Sequence, residues 1–272
     1  MSQLPYLEGT TPYPPELIEE YTAAGYWEGL TYGDVLDRSA ARFSAKVAVI
    51  DDRARLTYDQ LRDQVDRLAV ALLRLGLKKY DRVLLQLPNR IECVVAFFAM
   101  QRIGVVPVPV VTRHEYLEIA HFLELMTPAA WIVPAKDTFR DFRPLIERVR
   151  SEPSSLRQVI VADDGEDVPA GAHSMAGLLA EVSPANRPGE LLARLRPDPN
   201  DVAIIFTTGG TTGTPKGVPR THNSFLCSVR RAAASLKAED ATALSTPIGH
   251  TRAYQGPVSG ATYRGATLTL IG

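Results

Sequence analysis

Short apolar runs recur along the chain, separated by stretches in which apolar residues return every three or four positions. Residues 47–50, 82–87, 105–110, 130–133, 158–162 and 202–206 are runs of the first kind, and they predict buried strands. Residues 32–43, 90–103, 115–126, 138–150 and 174–182 predict helices. The clearest helical stripe is Leu61, Val65, Leu68, Leu72 and Leu75, where Asp59 is expected to cap the helix and Gly76 to end it. Residues 15–24 predict a short helix, with Pro15 suited to a first turn and Gly25 to an end. Beyond residue 206 the pattern predicts a helix over 223–236, a strand over 243–246, a helix near Val258 and a strand over 267–271. Strands alternating with helices in this way predict an α/β protein whose parallel sheets are covered by helices on both faces. One such sheet is expected through residues 82–206. There is no internal repeat and no low-complexity tract.

Composition changes this picture little. A chain of 272 residues allows one large domain or two modest ones. With 45% hydrophobic and 22% charged residues and a formal net charge of −1, nothing calls for nucleic acid or an anionic membrane as partner. The Lys78-Lys79 pair and the acidic run over 163–167 are short and read as solvated loops. Cys93 and Cys227 form no Cys-x-x-Cys motif and read as reduced packing residues. The first twenty residues hold four prolines and no apolar signal core, and no apolar run approaches the length of a membrane span. These features predict a cytoplasmic protein.

The chemistry is concentrated in one stretch. After the apolar run 202–206 comes Thr207-Thr208-Gly209-Gly210-Thr211-Thr212-Gly213-Thr214-Pro215-Lys216-Gly217. Glycines let backbone approach a ligand, successive N–H groups can curl into an anion-binding nest, and hydroxyls and a lysine add donors and charge. The expected ligand is a polyphosphate, bound at the carboxyl end of a strand, where open α/β sheets bind ligands. The Walker A pattern fails here, since Pro215 rather than Gly precedes Lys216, and Gly217 rather than Ser or Thr follows it.

From Ile205 to Lys216 the stretch resembles the signature loop of adenylate-forming enzymes, the acyl- and aryl-AMP ligases. Leu56-Thr57-Tyr58 with Leu61 resembles a segment common near the start of that family. Pro219-Arg220-Thr221-His222, Thr11-Pro12-Tyr13-Pro14-Pro15, Gln86-Leu87-Pro88-Asn89 and Val106-Pro107-Val108 resemble the branch that activates 2,3-dihydroxybenzoate and related aryl acids for siderophore assembly. The resemblance implies two steps. A carboxylate attacks the α-phosphate of ATP, giving an acyl-adenylate and pyrophosphate; a thiol of coenzyme A or of a carrier-protein phosphopantetheine then takes the acyl group. It also implies phosphate contacts from Thr208, Gly209, Gly210, Thr211, Thr212, Gly213 and Lys216, with Mg2+ bridging the phosphates. Pro247-Ile248-Gly249-His250 resembles the family's next motif, which implies that His250 lies near the reacting carboxylate and α-phosphate. His222 reads as structural, holding the start of its helix, and His114, His121 and His173 stand in no constellation.

Two positions depart from the aryl-acid pattern. Thr251 follows His250 where those ligases have Asn, and Gly256 precedes Pro257 where they have Ser. His250, Thr251 and Gly256 are therefore the expected acid-binding positions, tuned to a less hydroxylated aryl acid or another carboxylic acid. Family members are roughly twice as long, so the resemblance implies the incomplete N-terminal large domain of an adenylate-forming enzyme. Its expected parts are a lead-in over 1–30, a first α/β half over 81–240 carrying the phosphate loop, and part of a second half from 31–80 with 241–272, which leaves an open sheet edge. The 272 residues alone are not expected to catalyse adenylation. Two alternatives are a truncated or split remnant that holds nucleotide or acyl group without chemistry, and an unrelated doubly wound phosphate-binding protein.

Overall fold

The computed structural model describes residues 6–162, 167–183, 189–208 and 215–272. The chain begins with helices α1 (Pro15–Ala23) and α2 (Tyr32–Phe43), the hairpin β1 (Val47–Ile50) and β2 (Arg55–Thr57), and the long helix α3 (Tyr58–Arg74). Strand and helix then alternate: β3 (Arg82–Leu85), α4 (Ile91–Arg102), β4 (Val106–Pro109), α5 (Tyr116–Met126), β5 (Ala130–Val133), α6 (Arg143–Ser151), β6 (Gln158–Val161) and β7 (His173–Ser174). Helices α7 (Met175–Ala180) and α8 (Gly189–Arg194) lead to the hairpin β8 (Val202–Thr207) and β9 (Gly217–Thr221), then to α9 (His222–Ala232). The last elements are β10 (Ala241–Leu244), α10 (Thr251–Ala253), a π-helical turn over Tyr254–Val258, α11 (Ser259–Arg264) and β11 (Thr267–Leu270).

Two sheets organise these elements. One has five strands in the order β4-β3-β5-β6-β7, all parallel. Its strands are apolar on both sides because both faces are covered. Val83, Leu85, Ala130 and Ile132 face a core shared with α2, α3 and α4. Leu84, Trp131, Val133 and Val161 face a second core with Ile119 and Phe122 of α5 and Ile146 and Val149 of α6. The alternation along each strand is the two-residue period of the pleat. The other sheet, in the order β10-β11-β1-β2, joins an early hairpin to the end of the chain. There β11 lies parallel to both β1 and β10, while β2 is antiparallel to β1.

Several sequence expectations change. The parallel sheet does not extend hydrogen bonds to residues 202–206: β8 packs beside β4 but pairs antiparallel with β9, a strand that the sequence did not announce. The cap of α3 is Thr57 rather than Asp59. The Thr57 hydroxyl accepts from the Gln60 N–H at 3.2 Å, and the Gln60 side chain accepts from the Thr57 N–H at 2.9 Å. Asp59 instead pairs with Arg62 within the first turn, at 2.6 Å. The helix expected over 138–150 starts only at Arg143, because Asp137 Oδ1 accepts from the N–H groups of Phe139 and Arg140 and holds a turn there. Helix α9 stops at Ala232, short of residue 236.

A charged cluster ties α2, α3 and α4 together. Arg102, only 9% exposed, makes two 2.6 Å bonds to the Asp37 carboxylate, and its Nε lies 2.8 Å from Asp66 Oδ1. Burial pushes the Asp66 carboxyl up and Arg102 pulls it back down. Cys93 is fully buried, its sulfur 3.5 Å from the Tyr254 hydroxyl, and Cys227 is half-buried; both are free thiols. Among the described residues no helix is long and apolar enough to cross a membrane.

Candidate active site

The residues singled out in the sequence gather on two segments. The first is the loop between β8 and β9. Gly209, Gly210, Thr211, Thr212 and Gly213 lie outside the described residues, but both arms of the loop are described. Thr208 donates its N–H to the Lys216 carbonyl at 2.9 Å, and Lys216 donates its N–H to Thr208 Oγ1 at 3.0 Å. The hairpin thus closes on itself immediately below the Gly/Thr stretch. The outgoing arm is seated on α5: His121 Nε2 lies 3.3 Å from the Pro215 carbonyl, and a Cβ on Gly217 would come within 2.7 Å of Met126 Cε. His121, which had no assigned partner in the sequence, is therefore a neighbour of this loop. The Lys216 side chain is exposed, and no carboxylate pairs with it among the described residues.

The second segment leaves β10 and carries Pro247, Ile248, Gly249 and His250. Its course is dictated by close backbone contact. A Cβ on Gly249 would lie 2.6 Å from Val110 C and Val111 N and 2.7 Å from the Val110 carbonyl oxygen. Only glycine lets this segment touch the backbone leaving β4. His250 is exposed and precedes α10, which begins at Thr251. Its neighbour His114 is half-buried. Burial holds the His114 imidazole below the ordinary histidine value; His250 and Arg140 press the same way, and Glu118 opposes them. Gly256 sits in the π-helical turn, where a Cβ would meet nothing within 4 Å. Such turns are frequent at functional sites.

The two segments meet through buried aromatics. The Tyr254 ring, in the second segment, lies 6.1 Å from Phe206, two residues before Thr208, and 4.9 Å from Phe97 of α4. Both segments therefore lie at the carboxyl ends of adjacent strands, β8 and β4, where an open α/β sheet receives its ligand. A cleft of about 620 Å³ opens beside the second segment, walled by Asn89, Thr112, Phe139, Ser245, Pro247 and Ile271. A second cavity, of about 420 Å³, is lined by Asp37, Asp66 and Arg102, which pair with one another, and by Asp63 and Arg67, which form a second pair.

His222 is structural. It is 1% exposed, its Nδ1 accepts from the Tyr32 N–H at 3.3 Å, and its own N–H donates to the Asp201 carbonyl. Burial pushes its imidazole down to about 3. The folded chain therefore binds fewer protons than the unfolded one, whose histidine titrates near ~6.5. Stability from the neutral ring is fully present above that value and is lost as pH falls toward 3. Acidification from pH 7.5 to 5 is expected to remove about 2 kcal/mol through this residue. His222→Asn, which keeps an acceptor for Tyr32, should show that much less acid sensitivity in urea titrations; an unchanged pH slope would remove His222 as the cause.

The chain belongs to the AMP-binding enzyme family, whose model matches residues 36–272. It is 33% identical over 269 residues to the 2,3-dihydroxybenzoate-AMP ligase of Bacillus subtilis, covering 97% of this chain and 47% of that protein. It is 35% identical over 255 residues to the salicyl-AMP ligase / salicyl-S-ArCP synthetase of Mycobacterium tuberculosis, covering 90% of this chain and 43% of that protein. Among solved structures, apo MbtA of Mycobacterium smegmatis superposes with a TM-score of 0.84 at 36% identity, covering 97% of this chain and 48% of that one. These relatives belong to the aryl-AMP branch that the sequence resembles, and the chain spans about half their length.

Proposed function

We propose that this chain supplies the phosphate loop and part of the acid site of an ATP-dependent ligase that adenylates an aryl or other carboxylic acid. The observation that carries this reading is the meeting of two strand ends. The Thr208–Lys216 loop neck leaves β8, and the His250 segment is pressed against the exit of β4.

In this reading a carboxylate oxygen bonds to the α-phosphorus of ATP, and the bond to the pyrophosphate oxygen breaks, with pyrophosphate leaving. Lys216 and the Thr208 hydroxyl face the departing phosphates, and a compact ammonium suits them as a point charge. His250 orients the carboxylate and offsets charge as oxygen approaches phosphorus. In the second step a thiol, of coenzyme A or a carrier-protein phosphopantetheine, attacks the acyl carbonyl and AMP leaves.

Mg2+ would neutralise the phosphates when bound. Among the described residues no three His, Cys, Asp or Glu side chains gather as a metal cage. That fits an ion held chiefly by substrate phosphates and water.

Thr251 and the open space at Gly256 support an acid with fewer ring hydroxyls than 2,3-dihydroxybenzoate, because one expected polar contact is altered at Thr251 and the other is gone at Gly256. The test is carboxylate-dependent pyrophosphate exchange across a panel of benzoates, salicylates and alkanoates, using the longest polypeptide that the gene encodes. A panel with no active acid would refute the reading.

Lys216→Ala is a clean companion variant, because both loop-neck bonds use Lys216 backbone atoms or Thr208 and survive the truncation. Loss of one charged phosphate contact of about 1.5–3 kcal/mol should slow exchange roughly ten- to hundredfold. Unaltered kinetics would remove Lys216 from the site.

A further inference from the structure

We infer that Asn89 is a positioning residue, a single side-chain amide that clamps the two sheets together at their carboxyl ends and thereby sets the segment presenting His250. Asn89 lies between β3 and α4 and is 8% exposed. Its Nδ2 donates to the Ile271 carbonyl at 2.8 Å and the Thr246 carbonyl at 3.1 Å, with the Leu244 carbonyl further away at 3.4 Å. An amide nitrogen has two hydrogens, so the two shorter contacts are the bonds and the third is marginal. Its Oδ1 accepts from the Ile248 N–H at 2.8 Å. One residue on the connection leaving β3 of the five-stranded sheet thus bonds the exits of both β10 and β11, strands of the other sheet.

The consequence for the site follows from where these bonds fall. Thr246 and Ile248 flank Pro247, which has no N–H of its own, so Asn89 holds both neighbours of a stiff residue. Ile248 is buried, Gly249 rests on the Val110–Val111 backbone, and His250 comes next, its N–H donating to the Pro247 carbonyl at 3.1 Å. From Thr246 to Gly249 the path is therefore pinned on one side by Asn89 and on the other by β4. The clamp is itself anchored: Asp51 Oδ2 accepts from the Ile91 N–H at 3.0 Å, and the Arg90 N–H donates to the Pro88 carbonyl at 2.8 Å. Among the described residues Asn89 bonds neither arm of the Thr208–Lys216 loop, so its influence should fall on the acid side of the site and not on phosphate binding.

The catalytic consequence rests on the role proposed above for His250; the clamp itself does not. Residue-level hydrogen exchange on this chain tests the clamp. The Ile248 amide, though outside any helix or strand, should exchange at least about tenfold more slowly than an exposed loop amide. Asn89→Ala should release the amides of 246–250 while those of β3 and β5 stay protected. Asn89→Asp keeps the volume but turns the donor into an oxygen facing two carbonyls, and it serves the same purpose should the alanine variant not fold. In the longest encoded polypeptide, either variant should lower acid-dependent exchange turnover about a hundredfold, with pyrophosphate binding within about twofold of wild type because no bond to either described arm of the loop is lost. An Ile248 amide that exchanges freely in the wild type overturns the clamp, as does a variant that leaves the amides of 246–250 and turnover unchanged. Loss of pyrophosphate binding in step with turnover would instead mark a general structural role and overturn positioning. If the wild type activates no acid, the functional reading fails while hydrogen exchange still decides the clamp.

Discussion

Replacing Gly249 by alanine is expected to lower acid-dependent pyrophosphate exchange about a hundredfold, the usual scale for displacing a reacting group by roughly an ångström. The reason is space. Gly249 is not in the left-handed region of backbone conformation, so an alanine carries no torsional penalty there. Its methyl carbon would, however, stand 2.6 Å from two backbone atoms of Val110 and Val111. Those atoms cannot yield, because the Val110 N–H is bonded to the Leu85 carbonyl of β3 at 3.0 Å. The His250 segment must move instead, away from the strand end where the acid is proposed to bind. The folded chain should survive, with a loss of about 1–3 kcal/mol for the overpacking. Exchange kinetics with urea titration separates the two effects. Wild-type exchange in a folded Gly249→Ala protein would show that the contact with β4 does not set His250.

Removing the Arg102 side chain is expected to cost about 3–5 kcal/mol of stability, the largest single loss foreseen in the helical layer. Arg102 is nearly buried between Asp37 and Asp66, and Asp66 is itself largely shielded. Deleting the guanidinium leaves a shielded carboxylate with only the weaker pull of Arg62 to offset its charge, which is worse than having no ion pair at all. Two comparisons check the cause. Arg102→Met with Asp66→Leu should be less destabilised than Arg102→Met alone, since the pair leaves together. The single variant should also recover part of its deficit as the pH falls toward the ordinary carboxylate range, because burial already raises the Asp66 carboxyl above it and favours the protonated form. Urea titrations in which the double variant is no better than the single one would place the cost in packing rather than in charge.

Much of the first α/β layer is legible without coordinates. The strand over 130–133 and the helix over 32–43 fall where the apolar pattern puts them, because a strand covered on both faces must be apolar throughout and a helix covered on one face must repeat near 3.6 residues. Strand β9 is not legible: Gly217, Val218 and Pro219 are all exposed, so burial leaves no alternation to detect. The helix start at Arg143 is also hidden, since it depends on which of several aspartates holds the preceding turn.

The site divides in the same way. The Gly/Thr loop and its lysine are visible because the phosphate binding proposed for them would demand particular residue types close together in sequence. His250 is visible only through its resemblance to a family motif. Gly249 and Asn89 stand inside quoted motifs, yet their work is invisible there, because each acts on a strand more than 100 positions away.

What the sequence determined by itself is local: helix and strand periods, and a loop whose composition suits an anion. Each of these depends on neighbours within a few residues. What only the tertiary structure decided is non-local: β11 beside β1, Gly249 against Val110, Asn89 reaching Ile271, and the exposed loop neck brought near the His250 segment through Phe206 and Tyr254. Those depend on the packing of two sheets, where bond partners are chosen by the path of the whole chain and leave no periodic trace along it.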